Sequence, residues 1–302
     1  MTGPESGDPR ILPFQASGGP TVLRIIVGAQ LRRLREARGL SAEEAGDGIR
    51  ASQSKISRIE TGRIGFKERD VDDLLTLYGL HDEDEREALL VLARQANVPG
   101  WWHRYGDVLP NWFEIYIGLE EVATTIQGYD VQFIPGLLQT EDYARAVVSL
   151  WYADAPEDEL NRRTKLRMRR QRLLTRPHGL DLHFVIDEAA LRRPLGGHQV
   201  MRAQIRRLIE MANLPNLTLQ VVPFEAARQA AAGCAFSILH FVQDGMTDLV
   251  YLEQITSALY LEKPADVAEH RRIMDGLSAA ALDPAASVQA LQAVHDELGR
   301  DS

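Results

Sequence analysis

From Thr21 to Asn97 the apolar positions recur at helical spacing, interrupted by short polar stretches that carry capping residues. Val22, Ile25, Ile26, Ala29, Leu31 and Leu34 predict the apolar part of a first helix, which Gly39 closes at a position tolerant of positive φ. Ser41 with Glu44 three residues later forms a capping box and opens a short second helix that ends near Arg50. Ser52 caps a third helix over Gln53 to Thr61, with Ile56 and Ile59 facing inward and Gly62 as its stop. Val71, Leu74, Leu75 and Leu77 mark a fourth helix, and Ala88, Leu89, Leu90, Leu92 and Ala93 a fifth. The expected fold of residues 21–97 is an all-α, five-helix domain.

Asn97-Val98-Pro99-Gly100 predicts the boundary, because Pro-Gly cannot continue the preceding helix. Residues 1–20 read as a flexible arm, too rich in Gly and Pro for a periodic element. Beyond the boundary the pattern changes to a larger mixed α/β domain over 98–302. Helical runs are expected near Trp112 to Thr125, Thr140 to Trp151, Glu157 to Thr175, His198 to Asn213, Pro264 to Ala281 and Pro284 to Leu298. Strands are expected at His183 to Ile186, Leu217 to Val222, Phe236 to Val242 and Leu249 to Glu253.

Composition narrows the class. The 302 residues are 45% hydrophobic and 25% charged, with a net charge of -9, which is ordinary globular composition and not that of a disordered chain. One cysteine, Cys234, excludes an internal disulfide and a Cys-rich zinc cluster, and fits a reducing, cytoplasmic setting. No long apolar run suggests a membrane span, and Met1 to Pro20 has no signal-peptide core. Against the acidic whole, residues 21–69 hold 11 basic and six acidic side chains. A local basic face on an acidic protein suits contact with phosphate through one surface only.

Two short helices joined tightly, the second opening Ser52-Gln53-Ser54-Lys55-Ile56-Ser57-Arg58-Ile59-Glu60, suit a helix-turn-helix, which presents polar N-terminal side chains to the major groove. The stretch from Leu34 to Ser41, and then Ser52 to Gly62 with its S-x-x-x-I-S-R-I-E-x-G pattern, resembles the xenobiotic-response-element family of phage repressor and Cro-like regulators. That resemblance implies DNA contacts from Gln53, Ser54, Lys55, Ser57 and Arg58, flanked by Ser41, Arg50 and Arg63, with Arg35 and Glu60 as a structural ion pair. Gln suits adenine and Arg suits guanine in such contacts. Three positions depart from the family pattern: Gly46 replaces a small alanine, Arg50 a turn glycine, and Ala42 a phosphate-binding glutamine. A dimer on an inverted-repeat operator, with half-sites about 10 base pairs apart or a multiple of that, is the implied target.

Trp101-Trp102-His103-Arg104-Tyr105, Phe133 to Ala144, Arg167-Met168-Arg169-Arg170-Gln171 and Glu253 to Ala258 resemble the domain of unknown function that follows this helix-turn-helix in a large actinobacterial regulator family. The resemblance covers about residues 21–300 and implies a small protein partner from a neighbouring gene, some relatives being antitoxin-like. An antitoxin-like protein that sequesters such a partner and only autoregulates its operon is the alternative function. Trp101, Trp102, Arg104, Tyr105, Arg167, Arg169 and Arg170 are candidates for a partner or ligand surface. For the aromatic span from Trp101 to Tyr116 the competing account is interdomain packing. For the basic run from Arg162 to Arg176 it is a solvated helix face paired with acids of its own domain.

Catalysis finds little support. Cys234 and His240 would share a face at strand spacing, yet a small core cysteine explains the thiol equally well, and Asp187 and Glu188 should diverge at a strand end. His183 has no evident partner in sequence, and no phosphate loop, metal-ligand spacing or nucleophile elbow is present. The expectation is a non-enzymatic regulator with no cofactor and no metal.

Overall fold

The computed structural model describes residues 20–176, 179–226, 234–242 and 246–300, and divides the chain into two compact units at Trp101/Trp102. The arm expected over residues 1–20 lies outside the described residues except Pro20.

The first unit contains α1 (Pro20–Ala37), α2 (Ala42–Gly48), α3 (Gln53–Glu60), α4 (Glu68–Leu77) and α5 (Glu83–Ala96). Its core joins Leu23, Val27, Leu31 and Leu34 of α1 to Ile56 and Ile59 of α3, Val71, Leu74 and Leu75 of α4, and Leu89 and Ala93 of α5. Each such Leu, Ile or Val side chain contributes about 1.5–3 kcal/mol on burial. The buried stripe of α1 is rotated from the expected one: Ile25 and Ala29 are only half-buried, whereas Leu23 and Val27 are buried. Helix ends follow the cap chemistry. Gly39 and Gly62 adopt φ of 68° and 65°, and Asp82 Oδ1 accepts the Glu85 N–H at 2.9 Å to start α5.

The second unit is built on a six-stranded mixed sheet of β1 (Thr125–Asp130), β2 (Asp181–Asp187), β3 (Leu217–Val222), β4 (Phe236–His240), β5 (Leu249–Glu253) and β6 (Ala258–Leu261), ordered β3-β2-β1-β4-β5-β6. β1, β2 and β3 are parallel, and the remaining pairings are antiparallel. Around the sheet are α6 (Asn111–Glu120), α7 (Glu141–Trp151), α8 (Glu157–Arg170), α9 (Glu188–Leu191), α10 (His198–Met211), α11 (Pro264–Ala280) and α12 (Pro284–Arg300). Val267, Met274 and Leu277 of α11 pack in one cluster with Tyr129, Val185, Phe236, Ile238 and Val250 of the sheet. No helix among the described residues is long and apolar enough to cross a membrane.

Two strands escape the sequence pattern. The helix expected to run to Thr125 stops at Glu120, and Thr124 begins pairing instead, its N–H and hydroxyl both donating to His240 O at 2.9 and 3.1 Å. β1 then carries Gln127, Gly128 and Asp130 in the middle of the sheet, a composition that hides a strand from hydropathy. β6 is a four-residue edge strand with half-exposed positions. The helix expected to reach Thr175 leaves α-geometry at Arg170 and finishes as a 3-10 turn.

Candidate nucleic-acid interface

α2 and α3 are joined by four residues, and both are capped as their sequences dictate. Ser41 Oγ accepts the Glu44 N–H at 3.1 Å while Glu44 Oε2 accepts the Ser41 N–H at 2.7 Å, which holds the Glu44 carboxyl below its usual range. Ser52 Oγ accepts the Lys55 N–H at 3.2 Å.

The turn accommodates Gly46 and Arg50 together. Arg50 adopts φ of 55°, the left-handed conformation for which glycine is the usual choice. Ala51 N–H then donates to Gly46 O at 2.8 Å, and the chain passes so near α2 that a Cβ at residue 46 would lie 2.6 Å from Ala51 O. Glycine at 46 thus gives room to a turn whose left-handed residue is arginine.

On α3, Ile56, Ile59 and Glu60 are buried, whereas Gln53, Ser54, Ser57 and Arg58 are exposed. These four occupy neighbouring positions of one helical face at i, i+3 and i+4 spacing. Arg58 Nε donates to Ser54 O at 3.2 Å, so its guanidinium lies back toward the N-terminal turn of α3. Arg50 and Arg63 are exposed at the two ends of the motif, and Ser41 is exposed at the start of α2. Lys55 is placed differently from the other candidates: its Nζ donates to Asp70 Oδ2 of α4 at 2.5 Å, and its side chain is 30% exposed. Sequence reading missed this tether because Asp70 sits 15 residues away with no periodic relation to Lys55.

The helix is aimed by contacts behind it. Arg35 donates from Nε to Glu60 Oε1 at 2.6 Å and from Nη2 to Glu60 Oε2 at 2.9 Å, and its Nη1 donates to Leu40 O at 2.6 Å. The hydrogen-bonded Glu60 carboxylate pushes the Arg35 pKa above its ordinary value. At Gly28 of α1 a Cβ would fall 2.5 Å from Ile59 O and 2.6 Å from Glu60 O, so the end of α3 lies directly against the α1 backbone.

The candidates of the second unit are not one exposed surface. Trp102 and Arg170 are only 2% and 6% exposed, which corrects their placement on a partner surface. Trp102 Nε1 donates to Glu114 Oε1 at 3.3 Å. Arg170 donates to Glu120 at 2.8 and 2.6 Å and lies over the rings of Phe113 and Tyr116, because a buried guanidinium needs a paired carboxylate. Arg162 pairs with Asp107 and Arg163 with Glu159, so much of the basic run is spent within its own domain. Arg104 is exposed over the Tyr105 ring, Tyr105 and Arg169 are half-buried, and half-buried Arg167 reaches Gln139 Oε1 at 3.3 Å; Trp101, which belongs to the first unit, is half-buried too.

The residues considered for catalysis also separate. Cys234 is exposed and precedes β4, so it does not share a strand with His240. His240 contacts Asp248 through Nδ1 at 2.8 Å and Gln127 through Nε2 at 3.0 Å, and burial lowers its pKa. His183 Nε2 meets Gln220 Oε1 at 2.8 Å. Asp187 accepts from the Tyr129 hydroxyl and the Ala189 N–H, while Glu188 accepts from Arg192 and the Phe224 N–H. Among the described residues no group of three or more His, Cys, Asp or Glu side chains is arranged to hold a metal ion.

A capped, braced α2–α3 pair with one exposed polar face defines the class of a helix-turn-helix DNA-binding protein, and a family model described as a helix-turn-helix domain matches residues 26–89. A second family model, a domain of unknown function (DUF5753), matches residues 113–293, more than half of the chain, and the chain belongs to that family. No curated protein and no solved structure is significantly similar to it.

Proposed function

We propose that this chain is a sequence-specific transcriptional regulator of the phage repressor and Cro-like type, acting as a dimer in the cytoplasm. α3 enters the major groove and reads bases through Gln53, Ser54, Ser57 and Arg58. Ser41, Arg50 and Arg63 approach the flanking phosphates, and Lys55 joins them only when released from Asp70. The observation that carries this reading is the exposed Gln53–Ser54–Ser57–Arg58 face on a helix whose opposite side is locked by Glu60. The second unit supplies dimerisation and regulation, through a small protein partner or a ligand. We assign it no catalytic role.

Selection of bound duplexes from a randomised pool, with the full chain and with residues 20–101, tests the proposal. An inverted repeat enriched by the full chain alone is the expected result. If the full chain enriches no sequence, the reading as a sequence-specific regulator fails. Recovery of a stoichiometric small protein with a chain that enriches nothing would favour the antitoxin-like sequestering role.

A further inference from the structure

The loop between α3 and α4, residues 61–67, carries two exposed cations, Arg63 and Lys67, on either side of buried Phe66. Neither forms a salt bridge among the described residues. Cations around the loop are paired instead: Lys55 with Asp70, Arg69 with Asp73, and Arg94 with Glu68 and Glu87.

Both ends of the loop are tied into helices. Arg63 N–H donates to Arg58 O at 2.9 Å, and Lys67 O accepts from the Val71 N–H at 3.2 Å. Between them the backbone of Ile64, Gly65 and Phe66 has one hydrogen-bonding partner among the described residues, and it comes from 31 positions along the chain. Asn97, the C-cap of α5, accepts the Phe66 N–H on Oδ1 at 3.0 Å and donates from Nδ2 to Phe66 O at 2.7 Å. A carboxamide engaged at both ends by one residue reproduces the exchange of bonds that a neighbouring strand would give, and it fixes the peptide planes on both sides of Phe66. A Cβ at residue 65 would lie 2.9 Å from Asn97 Oδ1, so glycine there leaves room for the amide. Phe66 is thereby held twice, by its side chain in the core and by its backbone on Asn97.

The loop belongs to the margin of the polar face of α3. Its start is bonded to Arg58 of that face. The Lys55–Asp70 bond sets the first turn of α4 beside α3, and Lys67 stands three residues before Asp70. Cations without acid partners at the margin of a base-reading helix suit DNA phosphates, which fix register and orientation. They do so at least cost when the loop bearing them is ordered beforehand, since ordering it on contact would consume conformational entropy.

We propose that Asn97 is a positioning residue for DNA: it holds the 61–67 loop so that Arg63 and Lys67 meet the phosphates flanking the bases read by α3. This inference rests on the DNA-binding reading of the first unit. It adds Lys67 as a phosphate contact and Asn97 as the residue that sets the contact without touching DNA.

The test uses the full chain and the duplex it enriches from the randomised pool, with affinity measured between about 50 and 200 mM salt. Arg63→Ala and Lys67→Ala should each lower the slope of log affinity against log salt concentration by about one, the loss of one phosphate contact. Asn97→Ala should lower it by about one to two and weaken binding by about tenfold at the lower salt, with base preference as in the parent. Gly65→Ala decides the matter if Asn97→Ala does not fold: its methyl crowds only the tip of the Asn97 side chain, displaces the amide from Phe66, and should lower the slope in the same way. Adding Asn97→Ala to a chain already carrying Arg63→Ala and Lys67→Ala should change neither slope nor affinity further, as coupled residues do in a double-mutant cycle. A merely structural Asn97 would lower affinity by the same factor in both backgrounds and leave the slope intact, and either of these results overturns the proposal. If the parent enriches no duplex, the DNA reading fails and takes this inference with it. If the parent binds and the Asn97 and Gly65 variants keep its slope, only this inference fails.

Discussion

Arg35 in α1 and Glu60 at the end of α3 meet through two parallel hydrogen bonds of 2.6 and 2.9 Å, bridging 25 residues of sequence. Because both side chains are buried, the pair fixes the angle at which α3 leaves the core. Removing one partner strands the other charge. Glu60→Ala is expected to destabilise the first unit by about 3 kcal/mol, read as a lower midpoint in urea unfolding of the full chain. Arg35→Ala should cost a similar amount, and the double variant less than the sum. Full additivity would show that the two groups act independently.

The α2–α3 turn makes opposite predictions for Arg50 and Gly46. Arg50→Gly removes the cost of a left-handed L-residue and should stabilise by about 1 kcal/mol, offset in part by the entropy of the added glycine. Gly46→Ala places a methyl 2.6 Å from Ala51 O and should destabilise by about 1–3 kcal/mol. Thermal unfolding of the two variants checks both signs, and a stabilising Gly46→Ala would overturn this account of the turn.

Arg58 and Lys55 occupy one helix but have different ties. Arg58→Ala should weaken operator binding by about 1–3 kcal/mol and relax preference at one base pair. Lys55→Ala should leave base preference unchanged, because Asp70 already holds the ammonium. Binding measured against single-base operator variants separates the two, and a base-specific loss in Lys55→Ala would return that residue to the reading set.

Asp130 predicts a pH signature in stability. Burial, and secondarily repulsion from Glu253, push its folded pKa up to about 7, above the ordinary 3.8, so between these values the folded state holds a proton that the unfolded chain releases. Stability therefore falls as pH rises from about 4 to 7, and the penalty is complete above that window. Asp130→Asn should be stabilised relative to the parent at pH 8 and little changed at pH 4. Parallel melting curves across this range test it, and a constant difference between the two proteins would place the titration elsewhere.

The first unit was largely legible in the chain because its determinants are local. Ser41 with Glu44, Ser52, Gly39 and Gly62 mark helix ends within a few residues of where they act, and apolar spacing marked α3, α4 and α5. The polar face of α3 followed from the same register, since fixing Ile56 and Ile59 inward exposes Gln53, Ser54, Ser57 and Arg58. Only packing could show that Asp70 captures Lys55, that Gly28 admits the end of α3 and that the stripe of α1 is rotated. In the second unit, four strands could be read from β-branched and apolar runs. β1 could not, because Gln127, Gly128 and Asp130 are shielded by neighbouring strands and helices, not by their own hydropathy. The same distinction separates Arg170 from Arg167. Two arginines three residues apart look alike in sequence, and only the fold brings Glu120 to one and leaves the other beside a neutral amide. Local hydrogen bonding and periodicity are written along the chain, whereas charge pairing and desolvation depend on which distant residues folding brings within a few ångströms.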